Sequence, residues 1–197
     1  MRRIRYAVAA SLDGYIAGPN GEFDWIIQDP EIDFNSIFQQ FDTFLIGRRT
    51  FEPMASSGRA STPGMRTFVV SRTLRQSDHP QATILGEGWE ETVAALRAEE
   101  GKDIWLFGGG SLFHSCLEAG LVDTVEVGVI PVLLGGGIPL LPPPAKQTKL
   151  KLTGHRVYKT TGILRLEYAI QPTKAGKGTK PAKARQRSPA RKAQGSR

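Results

Sequence analysis

Asp103-Ile104-Trp105-Leu106-Phe107-Gly108-Gly109-Gly110-Ser111-Leu112-Phe113-His114-Ser115-Cys116-Leu117-Glu118 is the stretch on which the reading of this chain turns. A charge-bounded apolar run, three glycines and then apolar residues at helical spacing predict a buried strand, a glycine turn and a helix. Lacking Cβ atoms, the turn can pass close to a ligand. The first free N–H groups of the helix, aided by its dipole, then favour an anion there. Glycines between a strand and a helix also serve packing, so the stretch alone leaves both readings open.

Working outward, Thr43-Phe44-Leu45-Ile46 predicts a second buried strand, and Gly47-Arg48-Arg49-Thr50-Phe51-Glu52 a turn from it into another helix. Two arginines and a hydroxyl at such a junction suit a polyanionic ligand; a solvated basic turn is the other reading. Arg66-Thr67-Phe68-Val69-Val70 predicts a third strand, ended by Ser71-Arg72-Thr73. In open α/β sheets ligands bind outside the carboxyl ends of the strands, so these three clusters are expected to border one crevice.

The rest of the chain supplies the frame. Arg3 to Ala10 has the content of a first strand, closed by the turn Ser11-Leu12-Asp13-Gly14, and Ala17 to Gly21 is a second turn. Asp29 is predicted to cap a helix with Pro30 in its first turn, carrying Ile32, Phe34, Ile37, Phe38 and Phe41 inward, with Glu31 and Asp33 beside that apolar face. Ser56 to Gly64 reads as a loop, Gln81 to Leu85 as a strand, Trp89 to Glu100 as a helix and Leu121 to Ile130 as a strand. Pro131 to Gly137 is expected to be a mobile loop, and Leu150 to Thr153 and Val157-Tyr158 to pair with Ile163 to Ile170 in a closing hairpin. Strands alternating with helices and ending in an antiparallel hairpin predict an α/β fold with a mixed, mainly parallel sheet over residues 1–170.

Composition bounds the possibilities. A length of 197 residues with 40% hydrophobic content agrees with one domain and a buried core. No apolar run approaches the roughly 20 residues that span a bilayer, and Met1-Arg2-Arg3 leads into a strand, so a soluble, cytoplasmic chain without membrane contact is expected. Cys116 is the single cysteine; an internal disulfide is excluded and a buried thiol expected. His79, His114 and His155 lack metal-ligand spacing, and no metal is expected. The formal charge of +7 is local: nine of the 26 Lys and Arg, and none of the 19 acids, lie between Gln171 and Arg197, leaving the rest at −2. That end, residues 171–197, has no large apolar residue and is expected to be a disordered tail. It is either a solvated extension or a weak, nonspecific nucleic-acid contact, without the aromatic interleaving that reads bases.

Taken in order and spacing, Ala9-Ala10-Ser11-Leu12-Asp13-Gly14, Gly47 to Glu52, Val70 to Thr73 and Phe107 to Gly110 resemble the dihydrofolate reductase superfamily. The likeness is to the bacterial branch that includes the reductase domain of the riboflavin-biosynthesis deaminase-reductase, and it covers roughly residues 1–170. It implies a dihydrofolate reductase-like fold, NADPH as cofactor and hydride transfer to an electron-poor C=N or C=O carbon of a small heterocyclic or carbonyl substrate. It implies the nicotinamide against Ala9, Ala10 and Ile16. The pyrophosphate would lie at Gly47, Arg49 and Thr50 and at Phe107, Gly108, Gly109, Gly110, Ser111 and Leu112, and the 2′-phosphate at Arg48, Ser71, Arg72 and Thr73.

A proton-delivering carboxylate is implied early in the second helix: Asp33 by helix register, Glu31 by ungapped spacing. Asp13, Trp25 and Phe34 are candidate substrate contacts, the aromatics by stacking on a flat heterocycle. Relatives' habits imply a homodimer through the late strands. Three positions depart from the relatives. Met65 stands where an arginine clamps the tail of folate, with Arg66 adjacent, and Ala7 and Gly108 stand where riboflavin-pathway pyrimidine reductases carry a lysine and a glutamate. The reading of another class is a non-redox nucleotide-binding protein whose basic tail contacts nucleic acid.

Overall fold

Alternation along β1 (Ile4–Ser11) divides the molecule into two halves. Ile4, Tyr6 and Ala10 belong to one buried cluster, while Ala7 and Ala9 belong to clusters on the opposite face, as the two-residue period of a strand requires. The same division runs through β3 (Phe41–Gly47), β4 (Arg66–Val70) and β6 (Asp103–Gly108): Leu45, Phe68, Ile104 and Leu106 lie with Tyr6, whereas Phe44, Ile46, Val69 and Trp105 form the second cluster. The computed structural model describes residues 1–171; what was expected of the basic tail beyond them lies outside the described residues.

The remaining elements are β2 (Tyr15–Ala17), α1 (Phe34–Phe38), α2 (Arg48–Ser56), a 3-10 turn at Gln76–Asp78, β5 (Thr83–Leu85), α3 (Trp89–Ala98), α4 (Gly110–Glu118), β7 (Thr124–Ile130), β8 (Ile138–Pro139), β9 (Leu150–Tyr158) and β10 (Ile163–Ile170). Eight strands form one sheet in the order β5-β4-β3-β6-β1-β7-β10-β9. The pairings from β5 to β7 are parallel; β10 runs antiparallel to both β7 and β9. Helices α3 and α4 cover the Tyr6 face, where Tyr6 stacks on Phe113 with centroids 3.9 Å apart and Cys116 is fully buried. Burial pushes the Cys116 thiol up to about 12, which makes it a packing residue and not a nucleophile. Phe51 of α2 is fully buried on the other face; a buried side chain of this size contributes about 1.5–3 kcal/mol.

Two expectations are corrected. The helix expected from Asp29 starts only at Phe34, because Asp33 is the better cap: its carboxylate accepts the Ser36 N–H at 3.0 Å. Asp29 instead accepts the Glu31 N–H at 2.8 Å and the Thr161 hydroxyl at 2.7 Å, tying this turn to the β9–β10 hairpin. Phe41 leaves the helix for β3, where it stacks on Trp105 at 4.8 Å. The loop after β7 is fastened. Asp13 accepts the Leu134 N–H at 3.1 Å and the Gly135 N–H at 2.7 Å, and β8 pairs with β2.

Among the described residues no helix is long and apolar enough to cross a membrane, and no group of His, Cys, Asp and Glu could hold a metal ion.

Candidate active site

Helices α2 and α4 begin where β3 and β6 end, side by side. Gly47 caps α2 and Gly109 caps α4, and neither helix start has a side-chain hydrogen bond to its free N–H groups. Two unspent helix N-termini so placed form an electropositive pocket wall. At Gly108 φ is +136°, which L side chains rarely adopt, and the Gly108–Gly109 peptide is cis. A Cβ added at Gly108 or Gly109 would stand 3.6 Å from the Thr50 hydroxyl oxygen and fill the gap between the two helix starts.

A cavity of about 1610 Å³ opens over these turns, larger than the roughly 300–1,000 Å³ that houses one small ligand. Gly47, Arg48, Arg49 and Thr50, then Ser71, Arg72 and Thr73, then Phe107, Gly108, Gly109, Gly110, Ser111 and Leu112 all line it, as do Ala9 and Ile16. Arg48 rests on Glu52 at 3.0 Å, an i,i+4 pair with both partners about 40% exposed. Such a pair holds a side chain for only a few tenths of a kcal/mol and yields readily to a phosphate. The Ser71 hydroxyl accepts the N–H groups of Thr73 and Leu74 at 3.1 and 3.0 Å and shapes the turn that presents Arg72.

The other end of the cavity is apolar, walled by Ile26, Ile32, Phe34, Ile37, Phe38 and Trp105, and it contains one buried charge cluster. Arg5 grips Glu126 through Nε at 2.6 Å and Nη2 at 2.8 Å, and Arg165 reaches the same carboxylate at 3.3 Å. Burial works to raise the Glu126 carboxyl, but hydrogen bonds and charge from Arg5, with Thr124 and Arg165, outweigh it and hold the group below the usual carboxylate range. Glu126 and Arg165 both line the cavity. Sequence reading missed this cluster, whose partners lie 121 and 39 residues apart. The available signal was a single acid in the apolar alternation of β7; its register partner on β1 is Ala7, and Arg5 reaches it from the position opposite Thr124.

Five expected site residues lie elsewhere. The Ala10 side chain is on the opposite face of β1, 2% exposed in the core. Asp13 serves the loop latch. Its carboxyl is held below the ordinary range by the Ser11 hydroxyl first and then by the Gly135 and Leu134 N–H groups, which outweigh partial desolvation. Trp25 donates its indole N–H to the Glu22 carbonyl at 3.1 Å and does not line the cavity. Asp33 is spent on its cap, and Glu31 pairs with Arg156 at 2.9 Å; neither lines the cavity. Met65 is packed in the second cluster and Arg66 pairs with Glu99 at 2.8 Å outside the cavity, so no arginine replaces the folate clamp at this point.

Residues 2–164 match the RibD C-terminal domain family. Over 179 residues the chain is 35% identical to the uncharacterized protein YyaP of Bacillus subtilis (strain 168), a match covering 85% of this chain and 94% of that one. Among solved structures it is similar to a protein of Shewanella sp. PV-4 ascribed to riboflavin biosynthesis, with a TM-score of 0.72 and 25% identity over 87% of this chain and 100% of that one. A deaminase/5-amino-6-(5-phosphoribosylamino)uracil reductase of Thermotoga maritima has a TM-score of 0.65 and 15% identity, with 86% of this chain and 57% of that one covered. Dihydrofolate reductase of Enterococcus faecalis, complexed with NADP(H), has a TM-score of 0.63 and 18% identity, with 86% and 97% covered. These last two share the fold, the dihydrofolate reductase-like arrangement of a mainly parallel sheet closed by an antiparallel hairpin. The chain belongs to the RibD C-terminal domain family.

Proposed function

We propose that this chain is an NADPH-dependent reductase that transfers hydride to a small planar heterocycle, pyrimidine-like or pterin-like, or to a carbonyl compound. The observation carrying the reading is that three strand ends rich in glycine, hydroxyl and arginine border one cavity whose opposite end is apolar. The donor set fits a dinucleotide phosphate: two uncapped helix starts, the Thr50 and Ser111 hydroxyls, and Arg48 and Arg72. The NADP(H) complex of the Enterococcus enzyme and the reductase function of the Thermotoga protein support the same reading.

When bound, NADPH supplies the hydride. This chain's residues bind and orient. Arg48 and Arg72 would hold the 2′-phosphate, the α2 and α4 starts would hold the pyrophosphate, and the apolar wall from Ile26 to Phe38 would keep water from the nicotinamide. Asp33 and Glu31 take no step, since both are engaged outside the cavity.

Thermal denaturation tests the reading. NADPH should raise the melting temperature more than NADH, because a ligand that binds only the native state stabilises it. Arg48→Ala/Arg72→Ala should remove that preference, weakening NADPH about a hundredfold, since each charge-assisted hydrogen bond contributes about 1.5–3 kcal/mol. An unchanged preference overturns the 2′-phosphate assignment, and absence of NADPH binding overturns the reductase reading.

A further inference from the structure

The apolar end of the cavity has a floor that crosses three strands at one register level. Ala9 of β1 is partnered by Gly128 of β7, and Gly128 by Arg165 of β10. Adjacent strands lie about 4.8 Å apart, so the Arg165 backbone is roughly 10 Å from that of Ala9. Between them stand a methyl group and a hydrogen, and a Cβ added at Gly128 would meet no atom within 4 Å. All three residues line the cavity. A flat ring laid on Gly128, beside a nicotinamide against Ala9, therefore has its edge at the Arg165 guanidinium.

That guanidinium is only partly used. Its Nη2 contacts Glu126 Oε2 at 3.3 Å and Glu167 Oε1 at 3.0 Å. Among the described residues its Nε and Nη1 have no hydrogen-bond partner, and its side chain is 27% exposed, into the cavity. Glu126 offers a ligand little in return. Arg5 holds both its oxygens, at 2.6 and 2.8 Å, and the Thr124 hydroxyl takes a further place at 3.1 Å. The unspent polar capacity on this floor is thus donor and cationic: Nε and Nη1 each offer a charge-assisted N–H to a carboxylate or carbonyl oxygen, while Nη2 stays with the two acids. The amino edge of a diaminopyrimidine needs the opposite, a free carboxylate.

We infer that Arg165, held in place by Glu126 and Glu167 as positioning residues, is the specificity-determining residue of this site and selects planar heterocycles that present a carboxylate or carbonyl oxygen. The inference rests on the reductase reading, which assigns Ala9 to the nicotinamide and so leaves the open floor at Gly128, beside Arg165, to the substrate ring. It narrows the substrate class to acceptor-edged rings.

Calorimetric titration of the full chain, saturated with NADP⁺, with orotate and with diaminopyrimidine as paired probes tests it. Orotate should bind the wild type more tightly than diaminopyrimidine. Arg165→Met should weaken orotate roughly tenfold or more, as expected for loss of a charge-assisted hydrogen bond, and should leave diaminopyrimidine unaffected. Arg165→Lys, which keeps the charge but not the planar guanidinium donors, should fall between, and it carries the test if the methionine variant does not fold. Glu126→Gln should weaken orotate in the wild-type background and add nothing in Arg165→Met, whereas a merely structural role would lower binding in both. Equal orotate binding by wild type and Arg165→Met, or diaminopyrimidine as the tighter probe, or no orotate binding by the wild type, overturns the inference. If NADPH binding persists in those cases, the reductase reading stands without it; if the wild type does not bind NADPH, both fall.

Discussion

The two ends of the cavity are built by different means. At the phosphate end, each binding group comes with its neighbours in a contiguous turn: Gly47 to Thr50, Ser71 to Thr73, Gly108 to Leu112. At the apolar end, Arg5, Glu126 and Arg165 come one from each of three strands and meet only through sheet register. The phosphate end uses backbone N–H groups and half-exposed arginines that can move onto a ligand. The other end uses a buried Arg5–Glu126 pair that cannot move without cost, with the partly used Arg165 at its edge. Binding a dinucleotide therefore depends on local chain geometry, whereas recognition of the second molecule depends on long-range packing.

The sharpest break in that comparison should come from Glu126→Gln. It leaves the Arg5 guanidinium, 6% exposed, with only the looser Asp103 contact at 3.4 Å as counter-charge; breaking a buried pair by neutralising one partner costs about 3–5 kcal/mol, and Asp103 puts the expected loss toward the lower end. The pH dependence carries a definite sign. The Glu126 carboxyl titrates below its ordinary value in the folded chain, so its contribution is complete above the unfolded value of about 4.3 and is lost as pH falls through the folded value. Urea denaturation across a pH series should show a wild-type advantage that is constant near neutrality and narrows in acid. A gap of under about 1 kcal/mol at neutral pH would mean that the apolar end is as loosely held as the phosphate end.

The same contrast governs what sequence reading reaches. The strand-glycine-helix junctions are legible because glycine, arginine and hydroxyl are adjacent along the chain and act through backbone geometry that those residue types dictate. The parallel order of β3, β6 and β1 follows from alternation of strands and helices. Glu126 was not legible as a site residue: its strand reads as alternating, but nothing local shows that Ala7 of β1 lies opposite it or that Arg165 will arrive from a hairpin. Asp29 and Asp33 show the limit in miniature. Both are good caps by residue type, and the choice is made by Thr161, which gives Asp29 another partner 132 residues away.

A smaller effect separates two glycines within the phosphate end. A Cβ at Gly110 would land 2.4 Å from the Pro139 carbonyl oxygen and 3.2 Å from that of Leu140, so Gly110→Ala must displace β8 and its flank. Overpacking against backbone costs about 1–3 kcal/mol. At Gly47 the nearest atoms stand at 3.7 and 3.9 Å, ordinary contact distances, and Gly47→Ala should cost no more than about 1 kcal/mol, the difference between glycine and alanine at an N-cap. Gly47→Ala should nevertheless weaken NADPH, because its methyl group stands at the mouth of α2 where the pyrophosphate is assigned. Paired melting curves with and without NADPH check this. Equal stability loss at the two positions would show that the phosphate end is packed as tightly as the buried cluster.

The smallest effect lies outside the cavity lining, where Asp13 fastens the loop after β7. Its carboxylate accepts from the Ser11 hydroxyl at 2.6 Å as well as from the Leu134 and Gly135 N–H groups, and the loop it holds continues into β8, whose Pro139 carbonyl faces Gly110. Asp13→Ala removes these acceptors while leaving the β1 register and the Arg5–Glu126 pair untouched. Amide exchange should therefore quicken at Leu134 and Gly135 and stay unchanged in β1 and β7. Because the folded carboxyl is held below its ordinary value, the latch is intact above the unfolded value of about 3.9 and is released only as pH falls through the folded one. Exchange that quickens throughout the late strands in Asp13→Ala would show instead that the latch sustains the whole apolar end, and that the two ends of the cavity are one cooperative unit.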